Sequence, residues 1–111
     1  MTTGGSLFSM AIWDVKKGME DEFVEAWRSF AEWTSRNRQG AMGVHLLRER
    51  AFPQRFVTIG PWQDLESMKA WRESGEFDEF FDRARKLCTE IRPMTLDTVA
   101  FINAVKAPAG R

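Results

Sequence analysis

Leu7 to Val15 is apolar at nearly every position, and no other segment constrains the fold as much. Leu7, Ala11, Trp13 and Val15 fall on one parity, and Phe8, Met10 and Ile12 fall on the other. Successive side chains of a strand point to opposite faces, so a strand with this pattern must be covered on both sides. A layer of helices can cover one face. The other needs a separate partner.

The rest of the chain supplies the helices. Gly18 breaks the strand pattern, and Glu20, Asp21 and Glu22 place negative charge where a helix N-terminus favours it. Phe23, Ala26, Trp27 and Phe30 then recur at helical spacing, with Thr34 in line and Trp33 on the flank, as far as the basic, glycine-terminated run Arg36 to Gly40. Two β-type runs, Ala41 to Arg50 and Gln54 to Trp62, flank the Pro53 turn and read as a hairpin. Asp64 can cap a short helix through Leu65, Met68 and Trp71, which Ser74-Gly75 interrupts. A further helix is expected to carry Phe77, Phe80, Phe81, Ala84, Leu87, Cys88 and Ile91, to close at Pro93, and to lead into a last strand from Met94 to Ile102. Residues 1–6 and 103–111 read as mobile tails around one domain spanning 7–102.

This order predicts an α+β fold, the ferredoxin-like βαββαβ arrangement with a broken second helix, whose helices cover only one sheet face. The simplest cover for the other face is a second copy of the chain, giving a homodimer.

Composition narrows the function classes. At 111 residues there is room for one domain. Sixteen Lys and Arg balance sixteen Asp and Glu, which argues against nucleic acid or an anionic membrane surface as partner. No apolar run is long enough to span a membrane, and the start lacks the pattern of a secretory signal, so a cytoplasmic location is expected. The single cysteine, Cys88, and the single histidine, His45, offer no close-spaced ligand pair, so no metal site is expected. Nine Phe and five Trp stand beside no Tyr, which removes a protein phenol from any mechanism and leaves flat apolar surface.

Three runs carry a family resemblance: Val15 to Gly18 with Glu20 to Phe23; Phe56 to Gly60 with Trp62; and Leu65 to Met68 with Ala70 to Phe77, including Trp71, Ser74 and Gly75. With them the chain resembles the antibiotic biosynthesis monooxygenase family of the dimeric α+β barrel superfamily, from about Leu7 to Ile102. The resemblance implies a dimeric α+β barrel. It also implies an oxygenase that oxidises a hydrophobic aromatic, quinol or polyketide-type substrate with dioxygen and no cofactor, the ionised substrate itself reducing the oxygen. The alternative is a non-catalytic dimeric binding or scaffolding protein of the same fold. Haem-degrading members carry an Asn in the first strand and a His ten residues after the Trp that matches Trp71. Ala11 and Phe81 stand at those positions here, which argues against haem degradation.

The substrate pocket is expected between helices and sheet, lined by Trp27, Trp62, Trp71, Phe77 and Phe81. Trp13 is a further candidate. His45 is the default catalytic base, because its unperturbed pKa lies nearest neutrality. Asp14 and Asp97 are the other candidate bases, since each interrupts an apolar strand. Core packing is the plainer explanation for Trp13, Trp27 and Trp62 taken singly and an equal one for Trp71, a structural or interface role is the plainer one for His45, and Asp14 and Asp97 fit wet sheet ends equally well.

Overall fold

The computed structural model describes residues 7–105; both ends of the chain, including the expected tail 1–6 and most of the tail 103–111, lie outside the described residues. The element order is β1 (Leu7–Val15), α1 (Glu20–Asn37), β2 (His45–Arg48), β3 (Arg55–Trp62), α2 (Leu65–Arg72), α3 (Gly75–Leu87) and β4 (Cys88–Asp97). The strands form one antiparallel four-stranded sheet in the order β2-β3-β1-β4. This is the expected ferredoxin-like α+β arrangement with the second helix split.

Burial along β1 alternates strictly. Leu7, Ser9, Ala11, Trp13 and Val15 are buried beneath the helices, while Phe8, Met10, Ile12 and Asp14 are half-buried on the opposite face. The core lies on the helix side. Phe23 of α1 is fully buried, with its ring 5.3 Å from those of both Trp13 and Phe56. Alternation carries Val57, Ile59 and Pro61 of β3 onto the open face beside Phe8, Met10 and Ile12. His45 and Leu47 of β2 join them there.

Three boundaries differ from the sequence reading. The hairpin's first strand, expected from Ala41 to Arg50, is confined to His45–Arg48, with one isolated bridge from Ala41 to Trp62. The reason is a close backbone approach: a Cβ on Gly60 would sit 2.5 Å from the carbonyl oxygen of Gly43, which itself has φ +97°. Two glycines permit that contact and prevent a regular ladder.

The last helix stops at Leu87 rather than running to Pro93. Lys16 N–H donates to the Leu87 carbonyl at 2.8 Å, and Cys88 turns extended at φ −121°. Cys88 and Ile91, expected on a helical stripe, therefore belong to β4, where Cys88 is buried and Ile91 pairs with Trp13. Pro93 sits inside β4 opposite Ala11. An edge strand tolerates proline because one side of its backbone has no neighbour to bond. The strand ends at Asp97, the partner of Leu7, so Val99, Phe101 and Ile102 lie outside it and are exposed.

Cys88 gives a test of this helix-to-strand junction. Burial, with a smaller contribution from Asp14, pushes its thiol from 9.0 up to about 11. The folded state therefore favours the neutral thiol, and stability should decline as pH rises through roughly 9 to 11, where only the unfolded chain ionises. At pH 8, Cys88 should resist a disulfide reagent until urea unfolds the protein; rapid labelling of native protein would contradict this placement.

Candidate functional site

Between the helices and the sheet lies a narrow, apolar cavity of about 70 Å³. Its floor is the helix-facing side of the sheet, with Ser9 and Trp13 from β1 and Thr58, Gly60 and Trp62 from β3. Trp27, Phe30 and Thr34 of α1 form one wall, and Trp71, Phe77, Phe80 and Phe81 of α2 and α3 form the other.

The rings touch in a closed circuit. Centroid distances are 5.8 Å from Trp13 to Phe81, 5.4 Å to Phe77, 4.8 Å to Trp71, 5.7 Å to Phe30, 4.6 Å to Phe80 and 5.6 Å back to Trp13. Trp62 packs on Trp71 at 4.9 Å. Several of these pairs are stacked and others edge-on or tilted, the arrangements that aromatic quadrupoles favour.

The break in the second helix holds two of these rings. Ser74 Oγ accepts from Phe77 N–H at 3.1 Å, capping α3, and donates to the Trp71 carbonyl at 2.7 Å, closing α2. One hydroxyl thus sets the positions from which both side chains enter the cavity. Asp64 caps α2 in the same way, accepting from Ser67 N–H at 2.7 Å.

A hydroxyl meets the N–H of three indoles. Trp13 Nε1 donates to Thr58 Oγ1 at 2.8 Å, Trp62 Nε1 to Ser9 Oγ at 3.1 Å, and Trp71 Nε1 to Thr34 Oγ1 at 3.0 Å. Each bond fixes the plane of a ring that faces the cavity. Among the described residues the only charged one in the lining is Arg72, whose pKa burial lowers.

Trp27, Trp62, Trp71, Phe77 and Phe81 are brought together in this lining, and Trp13 joins them. His45 is not among the lining residues. It opens β2 opposite Ile59, and alternation places it, exposed, on the open sheet face, away from the cavity. Asp14 also faces that side, where Arg55 Nε donates to its carboxylate at 2.8 Å. Asp97 is exposed at the end of β4. No metal-binding group of three or more His, Cys, Asp or Glu exists among the described residues.

The sequence reading missed Phe30 and Phe80 as lining, together with Arg72 and the three hydroxyls. A signal existed for the hydroxyls: Ser9 and Thr34 each interrupt an apolar face in a chain rich in indoles, and buried indole N–H groups need acceptors. Replacing Thr34 by Val keeps the shape but strands the Trp71 N–H, and should lower stability by about 1–3 kcal/mol. Thr34→Ser should retain most of it. Urea unfolding of both variants measures the difference.

The sequence matches the antibiotic biosynthesis monooxygenase family over residues 7–83. No curated protein matches it. Among solved structures, it is similar to a candidate antibiotic biosynthesis monooxygenase from Nitrosomonas europaea, with TM-score 0.78 and 20% identity over 89% of this chain and 96% of that one. A second such candidate, from Caulobacter crescentus, gives TM-score 0.79 and 15% identity over 86% of this chain and 92% of that one. The protein PA3566 of Pseudomonas aeruginosa gives TM-score 0.74 and 18% identity over 90% of this chain and all of that one. At these identities the structures share the fold, and the sequence match carries the family: this chain belongs to the antibiotic biosynthesis monooxygenase family.

Proposed function

We propose that the protein is a cofactor-independent oxygenase that oxidises a small, flat, hydrophobic aromatic, quinol or polyketide-type molecule with dioxygen. The observation that carries this reading is the ring-walled cavity, whose lining offers aromatic faces and a few fixed hydroxyls. Such a site binds a planar ligand mainly through area removed from water, at about 25 cal/mol per Å², while its polar groups set orientation. An ionised, electron-rich substrate supplies the electrons. In the oxidation of an activated methylene to a carbonyl, one oxygen atom enters the product and the other leaves as water with both hydrogens.

Among the described residues no histidine, carboxylate or lysine lines the cavity, and on this reading the substrate proton is lost to water or before entry. The same observation favours the second reading, a binding protein without turnover. Incubation with naphthols, quinols and anthrones under labelled dioxygen separates the two: label in the product, insensitive to chelators and above the uncatalysed rate, supports the oxygenase. Uptake of ligand with no product above background supports the binding protein. Trp71→Ala should weaken binding of an aromatic ligand about tenfold or more. Haemin should not be degraded, because Phe81 lines the cavity without a group that can ligate iron, and Ala11 offers no side-chain hydrogen bond.

The open sheet face is assigned to a second copy of the chain. Phe8, Met10, Ile12, Val57 and Ile59 share it with Leu47, which is 49% exposed in the single chain. An apolar strip of this kind fits a homodimer interface, and on this reading His45 belongs to that interface rather than to catalysis. Sedimentation should give a dimer at micromolar concentration, dissociated by Ile59→Lys and unaffected by Trp71→Ala; a wild-type monomer would refute the assignment.

A further inference from the structure

Arg72 lines the cavity without an acid to balance it among the described residues. Its Nη1 donates to Thr95 Oγ1 at 2.6 Å and its Nη2 to the Met94 carbonyl at 3.1 Å, and both acceptors are neutral. Among the described residues it makes no ion pair, although Arg28, Arg36, Arg55 and Arg85 all do. A guanidinium has five N–H donors, so these two bonds leave most of the fork without a protein acceptor. Burial disfavours its charged form, as expected for a half-buried cation with no counter-charge.

The remaining polar groups add donors. The hydroxyls of Ser9, Thr34 and Thr58 each accept from an indole, which leaves each with a proton to offer and one lone pair. Thr95 spends its own proton on Met68 Sδ at 3.8 Å. The cavity is therefore rich in donors and carries one uncompensated positive charge. A neutral ligand can be met by the hydroxyls alone, whereas an anionic oxygen also finds a fork of donors and a charge to balance.

We propose that the cavity takes its aromatic ligand as an oxygen anion, a carboxylate or enolate conjugated to the ring, anchored on the free N–H groups of Arg72. This rests on the reading of the cavity as an aromatic-binding site, and it explains how a site with no base could hold an ionised substrate: Arg72 selects the anion rather than generating it. The ring then lies among Trp71, Phe77 and Phe81, and the charge stays at the β4 side of the cavity.

Two matched pairs of probes test this by calorimetry: 2-naphthoate against 2-naphthamide, and 2-hydroxy-1,4-naphthoquinone, ionised at neutral pH, against its methyl ether. At least one anion should bind the native protein about tenfold more tightly than its neutral partner, and the pair that does so distinguishes carboxylate from enolate. Arg72→Met should remove that preference while changing the neutral partner's affinity less than about twofold, and Arg72→Lys, which keeps the charge, should retain part of it. Equal binding within both pairs, or a preference that survives in Arg72→Met, overturns the proposal. If the neutral probes still bind in those cases, and more weakly to Trp71→Ala, the aromatic cavity stands without its anion anchor. If no probe binds, both readings fall.

Discussion

The structure depends on what happens to an indole N–H when its ring is buried. Tryptophan brings large apolar area to a small core, but its one donor costs about 1–3 kcal/mol if burial leaves it unpaired. This chain meets the requirement three times with a hydroxyl on a neighbouring element: Thr58 across the β1–β3 ladder, Ser9 across the same ladder in the other direction, and Thr34 from α1 to α2. The consequence is geometric. A ring held by its edge cannot turn to fill whatever space lies beside it, so the ring faces remain presented to the cavity.

The split helix serves the same end. A continuous helix from Leu65 to Leu87 would carry all its side chains in one straight register against the sheet. Ser74 ends one helix and begins the next, so Trp71 and Phe77 approach each other edge to face at 4.8 Å from two separately directed axes. At the other end, the contact of Gly60 with Gly43 brings the segment before β2 onto the sheet, and both glycines line the cavity. Two kinds of backbone irregularity, a capped break and a glycine contact, thus bound a space that regular elements would close.

Much of this was legible in the sequence because it depends on periodicity. The two-parity pattern of Leu7 to Val15 and the helical spacing of Phe23, Ala26 and Trp27 each map onto one element, and Ser74-Gly75 marked the break directly. The end of α3 was not legible, since Cys88 and Ile91 satisfy helical spacing from Phe77 and inward strand positions equally well. Long-range ladder geometry decides between them, and Pro93 misled by looking like a helix stop where it is an edge-strand residue. The same limit applied at the site. Aromatic lining could be guessed from residue type, but the choice of His45 as base rested on its pKa alone, and its direction depends on pairing with Ile59. Arg72 carried no signal in the sequence, because nothing local records that its neighbours in space are Met94 and Thr95.

The cavity and the open face are two consequences of one strand. Odd-numbered residues of β1 supply the cavity floor and core, and even-numbered residues supply the opposite surface. A slip of one residue in pairing would exchange them, turning Ser9 and Trp13 outward and bringing Phe8 and Ile12 beneath the helices. At the far end of the strand Asp14 lies opposite Arg55 and pairs with it at 2.8 Å, and an irregularity between Asp14 and Val15 lets β4 re-enter the ladder at Cys88. That ion pair is partly exposed and worth little as stability. The bonds from Trp13 to Thr58 and from Trp62 to Ser9 cross the same ladder, and a slip would break both, so the pairs that orient the rings also hold the register that lets them line the cavity.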